Sequence, residues 1–186
     1  APASSADSNY TGVNASNVGV SNTDNDNAGI TVTPIAGLVT TEAGGTATFT
    51  VVLNSQPSAD VSMGLSSSDT TEGTVAPTSL LFTSGNWNTA QTVTVTGVDD
   101  LIVDGAVAYS IVTAAATSSD ANYGGVNPSD VGVSNSDNDS AAVIVVQSDA
   151  TTAVTEGGTT DSYTVALSSQ PSSDVTIALT GNQVTT

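Results

Sequence analysis

The chain repeats itself, and this constrains its fold more than any other feature. The segment NYTGVNASNVGVSNTDND, Asn9 to Asp26, recurs as NYGGVNPSDVGVSNSDND from Asn122 to Asp139, an offset of 113 residues. The segment TEAGGTATFTVVLNSQPSADVSMGL, Thr41 to Leu65, recurs as TEGGTTDSYTVALSSQPSSDVTIAL from Thr155 to Leu179, an offset of 114. One residue is inserted between the two blocks. The order reads as the C-terminal end of one repeat in residues 1–28, a complete repeat in 29–140 and the N-terminal part of a following repeat in 141–186. The chain is expected to be a window on a tandem array.

Within residues 29–140 the apolar residues alternate with period two, the spacing of a half-buried strand. Ala47, Phe49, Val51 and Leu53 fall on one face of Thr46–Leu53, and Thr46, Thr48 and Thr50 on the other. The same reading predicts strands near Ile30–Thr33, Val61–Leu65, Leu80–Thr83, Gln91–Thr96, Val107–Thr113 and Asp130–Ser134. Gly44–Gly45, Gln56–Pro57, Gly85–Asn86 and Asp104–Gly105 supply the turns between them. About seven short strands per repeat of about 113 residues predict an all-β, immunoglobulin-like antiparallel sandwich, built in tandem. Its expected core is Phe49, Met63, Leu65, Leu80, Phe82, Val93, Val95, Tyr109 and Ile111. Trp87 is expected to pack at the start of a strand, with a sugar-stacking platform as the sharper alternative.

Composition narrows function. Ser and Thr supply 56 of the 186 residues and Val 25, a mixture that suits pleated strands. The chain has no Lys, Arg, His or Cys against 18 Asp and Glu, so every charged side chain is negative. Without His, Cys or Lys it lacks the usual neutral-pH base, strong nucleophile and Schiff-base former, and no enzymatic activity is expected. Nucleic acid is excluded as a partner, because phosphate binding rests on Lys and Arg. Docking to anionic membranes is disfavoured by the same sign, and no run of about 18 apolar residues predicts a membrane-inserted segment. No signal peptide is read in these residues, so export is expected to be signalled elsewhere. Metal cations remain as natural partners.

The acids gather in the predicted loops: Glu42, Asp69, Glu72, Asp99, Asp100, Asp104, Asp120, Asp137 and Asp139. Taken singly, each reads as a solubilising surface charge. Gathered at one end of a sandwich they would repel one another unless a cation sat among them, and Ca²⁺ takes six to eight oxygens from such flexible segments. Two other calcium patterns fail. Asp24 to Gly29 begins like an EF-hand loop, but Ala28 stands at its fifth position and Ile35 where the bidentate Glu belongs; glycine-rich nonapeptides are absent.

Three stretches, TTEAGGTATFTVVLNSQPSADV, QTVTVTGVDDLIVDGAVAYSI and SNSDND, resemble the Calx-beta family, defined by the regulatory domains of sodium–calcium exchangers and widespread in giant bacterial surface proteins. The resemblance covers the complete repeat and both partial ones. It implies a seven-stranded sandwich that binds Ca²⁺ in loops at one end, near the junction with the next domain. Position by position, it implies a metal set of Glu42, Asp69, Asp99, Asp100, Asp104, Asp137 and Asp139, with Asn138 in place of a further acid. In the third repeat Glu156 matches Glu42, but Gln183 stands where Asp69 would be.

The expected function is therefore that of an extracellular or cell-surface spacer in an adhesin-like or filament-forming protein, stiffened by Ca²⁺ and contacting neighbouring repeats. Recognition of a cell surface or carbohydrate through Trp87, Tyr10, Tyr123 or Tyr163 is the alternative, and a two-carboxylate hydrolase the weakest. Pairing with other copies in a fibre is left open.

Overall fold

The structure, a computed structural model, describes residues 1–181. Gln183 lies outside the described residues. No helix occurs among them, and they form eleven strands. β1 (Ile30–Thr33), β3 (Thr46–Leu53), β7 (Gln91–Gly97) and β5 (Gly73–Ala76) make one sheet in the order β1-β3-β7-β5. β2 (Leu38–Thr41), β9 (Val131–Ser136), β8 (Val107–Thr113), β4 (Val61–Ser67) and β6 (Ser79–Phe82) make the facing sheet in the order β2-β9-β8-β4-β6. β10 (Val143–Gln147) and β11 (Tyr163–Leu167) form a separate hairpin. The architecture is an all-β sandwich, as the alternation predicts.

The pleat sorts the side chains. Phe49, Val51 and Leu53 of β3 face Val93 and Val95 of β7 within one sheet and meet Val61, Met63, Leu65, Ile111, Val131 and Val133 of the other. The nine residues expected in the core are all buried, and Trp87 packs partly buried against them. Each threonine-rich face is left to water, where a hydroxyl keeps its hydration.

All seven expected strands are present, together with two short ones that the alternation did not reveal, β2 and β5. β2 buries Thr40 rather than an apolar side chain, and β5 begins on the buried Gly73. β2 also runs parallel to β9, with Leu38 opposite Val133 and Thr41 opposite Ser136, so the sandwich is not wholly antiparallel. This pairing places the chain leaving β2 beside the chain leaving β9. β7 ends there too, since Thr96 lies opposite Thr46 and Gly97 opposite Gly73, and β8 begins there with Val107 opposite Asn135. Four loops thus meet at one tip.

Residues 1–29 contain no strand. They hold a turn in which Ala3 N–H reaches the Val13 carbonyl at 2.8 Å, Tyr10 and Thr11 N–H reach Asp7, and Gly12 N–H reaches Ala3. The equivalent bonds recur 113 residues on: Ala116 to Val126 at 2.8 Å, Tyr123 and Gly124 to Asp120, and Gly125 to Ala116. Gly12 and Gly125 both take φ near +80° (79° and 86°), a conformation that favours glycine. The hairpin at the other end copies β1 and β3 in the same way: Val143 lies opposite Leu167 as Ile30 lies opposite Leu53.

Candidate functional site

Every strand end at the tip delivers an acid. Glu42 follows β2, Glu72 precedes β5, Asp99 and Asp100 follow β7, Asp104 precedes β8, and Asp137 and Asp139 follow β9. Two sets converge: Glu42 with Asp137 and Asp139, and Glu72 with Asp100 and Asp104, each contributing carboxylate oxygens that lie within 4.8 Å of one another. Glu42 and Glu72 are buried beneath the tip and the Asp residues lie above them. The sets adjoin, because Gly105 N–H, next to Asp104, donates to Asp137 Oδ2 at 2.8 Å.

A buried polar network holds the floor. Thr40 Oγ1 donates to Asn135 Oδ1 at 2.9 Å and shares a hydrogen bond with the Tyr109 hydroxyl at 3.2 Å. Asn135 Nδ2 donates to the Val98 carbonyl at 3.0 Å and, more weakly, to Glu72 Oε2 at 3.4 Å. Two glycines make room for this packing: a Cβ on Gly97 would strike the Thr41 carbonyl and Asn135 Oδ1, and one on Gly73 would strike the Tyr109 hydroxyl. Asn138 ties the loops together, its N–H on Glu42 Oε2 and its Nδ2 on Asp99 Oδ1, both at 3.0 Å.

The electrostatics show where charge is poorly compensated. Burial pushes Glu42 and Glu72 above their ordinary value; the Asn138 N–H opposes this at Glu42, the Asn135 amide opposes it at Glu72, and neighbouring carboxylates add to it. Asp139 is raised by desolvation and then by Asp137, Asp99, Asp100 and Asp104. Asp137 is lowered, since Gly105 and Asp139 N–H groups donate to its carboxylate. Asp139 Oδ2 is buried without any hydrogen-bond partner. An orphaned carboxylate oxygen among other carboxylates, in a chain without a basic side chain, is matched by a hard cation that takes oxygen ligands.

Five of the seven residues implied as ligands therefore stand in these sets: Glu42, Asp100, Asp104, Asp137 and Asp139. Asp99 lies beside them, exposed and bonded to Asn138. Asp69 stands outside both sets. Its Oδ1 accepts from Thr71 N–H at 3.0 Å and from Thr71 Oγ1 at 2.6 Å, a local turn that lowers its pKa. Glu72, three residues on, takes the inward place. Its signal in the sequence was the adjoining Gly73, whose missing side chain lets the chain approach Tyr109.

Two further loop residues land elsewhere. Asp120 lies at the opposite end of the sandwich, buried, accepting from Ser58 N–H at 2.8 Å and Asn122 N–H at 2.9 Å. Tyr123, offered as a stacking surface, belongs to the core: its hydroxyl donates to the Ser55 carbonyl at 2.6 Å, which satisfies the one polar atom that burial would strand.

Among known proteins, no family model and no curated sequence matches the chain. Solved structures with a similar course include an apo-form Calx CBD1 domain, 18% identical, covering 61% of this chain and 100% of that one at a TM-score of 0.47. An MSP family member of C. elegans, WR4, is 15% identical over 58% of this chain and 96% of its own, at 0.37. The PapD-like domain 7 of human CEP192 is 15% identical over 69% and 98%, at 0.35. These are likenesses among β domains.

Proposed function

We propose that residues 29–140 form a structural spacer of an extracellular or cell-surface protein, and that Ca²⁺ bound at the acidic tip stiffens it. The observation that carries this reading is Asp139 Oδ2, buried and unpartnered within the convergence of Glu42, Glu72, Asp100, Asp104 and Asp137. Glu42, Asp137 and Asp139 would hold one ion and Glu72, Asp100 and Asp104 another or a shared one, water completing the six to eight oxygens. The resemblance to Calx-beta domains favours the same ion. The acids converge where strands end, and the chain has no His, Cys or Lys to serve as a base or nucleophile, so the role is read as non-enzymatic.

The tip also touches the C-terminal hairpin region. Asp100 and Asp104 bracket Leu101–Val103; Asp100 Oδ1 accepts from Ile102 N–H at 2.7 Å, and the Leu101 carbonyl accepts from Gln170 N–H at 2.6 Å. Ile102 and Val103 face Val143, Leu167 and Pro171 across a cleft of about 490 Å³. A cation on Asp100 and Asp104 would fix this loop, and through it the angle between successive repeats. The carbohydrate reading has less behind it, because, of its four rings, Tyr123 is buried and Trp87 is half-buried on the core, which leaves Tyr10 and Tyr163 exposed.

Thermal melting with and without chelator tests the proposal. A ligand that binds only the folded form at a hundredfold excess over Kd contributes about 2.7 kcal/mol, which should raise Tm by roughly 5–10 °C in calcium. Equal melting temperatures in calcium and in EGTA would eliminate the calcium part of the reading.

A further inference from the structure

The parallel pair of β2 and β9 holds a hydroxyl against a carboxamide in the dry interior. Thr40 and Asn135 stand opposite each other in the ladder and are 0% and 1% exposed. Thr40 Oγ1 donates to Asn135 Oδ1 at 2.9 Å, and the Tyr109 hydroxyl lies 3.2 Å from the same Oγ1. On its other side the amide reaches a carboxyl group, Asn135 Nδ2 lying 3.4 Å from Glu72 Oε2, and Glu72 is itself buried. A nucleophile, an acyl carbon and a proton carrier are thus gathered at one point, as acyl transfer requires.

The repeat does not demand a hydroxyl at this place. The block that carries Thr41 to Thr155 carries Thr40 to Val154, so the following repeat has an aliphatic side chain of similar shape there. The buried hydroxyl is a property of the complete repeat, where Asn135 and Glu72 meet it.

We propose that Thr40 and Asn135 become joined by an intramolecular ester, formed by the chain on itself. Thr40 Oγ1 bonds to Asn135 Cγ, the Cγ–Nδ2 bond breaks, and the amide nitrogen leaves as ammonia. Glu72 is the catalytic acid and base of the step: it gives a proton to the departing Nδ2 and receives the one that Thr40 gives up, so it ends unchanged. No oxidant, metal or cofactor is consumed, and each chain reacts once, with no external substrate. Burial that excludes water from the pair shelters the ester from hydrolysis.

The position of the bond gives it a use. Thr40 and Asn135 are 95 residues apart, on strands near the two ends of residues 29–140. Tension along a tandem array would pass from β2 to β9 through a covalent link and spare the strands between them. This use rests on the spacer reading; the bond itself does not, and its test is run in chelator.

Intact-mass spectrometry of the full chain, purified in chelator and then denatured, should find it lighter than its sequence by one ammonia. After proteolysis the peptides carrying Thr40 and Asn135 should travel as one, and hydroxylamine should part them. Thr40→Val should have the full mass of its sequence, whereas Thr40→Ser, which keeps the hydroxyl, should still lose ammonia. Glu72→Gln should slow the loss roughly a hundredfold. A parent chain of full mass, ammonia lost equally by Thr40→Val as a succinimide would lose it, peptides that separate without hydroxylamine, or a Glu72→Gln chain that reacts as fast as the parent would each overturn the proposal.

Discussion

Asn9–Asp26 and Asn122–Asp139 are nearly the same sequence in two opposite situations. Both fold the turn built on Asp7 or Asp120, and both close with an aspartate that accepts the N–H two residues on, Asp24 from Asp26 at 3.0 Å and Asp137 from Asp139 at 2.7 Å. Only the second copy has a strand, a buried tyrosine and a place in the acidic tip. What lies within a few residues in sequence is thus written locally, whereas strand, burial and site arise from partners such as β2, β8 and Ser55 that are distant in the chain.

Matched substitutions in the two copies sharpen that contrast. The largest difference is expected at the tyrosines. Tyr123→Ala removes a fully buried ring and should lower stability by about 3–5 kcal/mol, while Tyr10→Ala should stay within about 0.5 kcal/mol in a dilute, monomeric sample. Denaturant titration of both variants reads this directly, and equal losses would erase the distinction between the copies.

A smaller effect is expected on acidification. Ser58 and Asn122 N–H groups hold Asp120 below its ordinary value of 3.8, so near that pH the folded chain binds fewer protons than the unfolded one. The stability Asp120 contributes is present above about pH 3.8 and is lost as the pH falls through its lower folded value. Asp120→Asn should flatten this part of the stability curve. Chemical denaturation between pH 5 and about pH 2 measures this.

The sandwich was legible in the sequence because its strands alternate. Thr46–Leu53 and Val107–Thr113 appear where the alternation puts them, with Phe49, Tyr109 and Ile111 inside. β2 escaped because LVTT turns a threonine inward, a choice that makes sense only once Asn135 and Tyr109 are there to meet its hydroxyl. The site was legible as a class of residue at strand ends, not as a set. Which of Asp69 and Glu72 faces inward depends on Thr71 engaging the first and on β5 pairing with β7 to present the second. Tyr123 looked available for stacking because nothing near it in sequence predicts Ser55, 68 residues away, as its partner.

The tip, not acidic sequence as such, is proposed to bind calcium. Asp26 and Asp139 occupy equivalent places in the two copies, and only Asp139 reaches the tip. Calorimetric titration of calcium into the parent chain, Asp26→Asn and Asp139→Asn is the most direct measurement. Binding is expected in the parent, the same binding in Asp26→Asn, and affinity reduced at least about tenfold in Asp139→Asn. Equal affinities in all three chains, or no heat of binding in the parent, would contradict it.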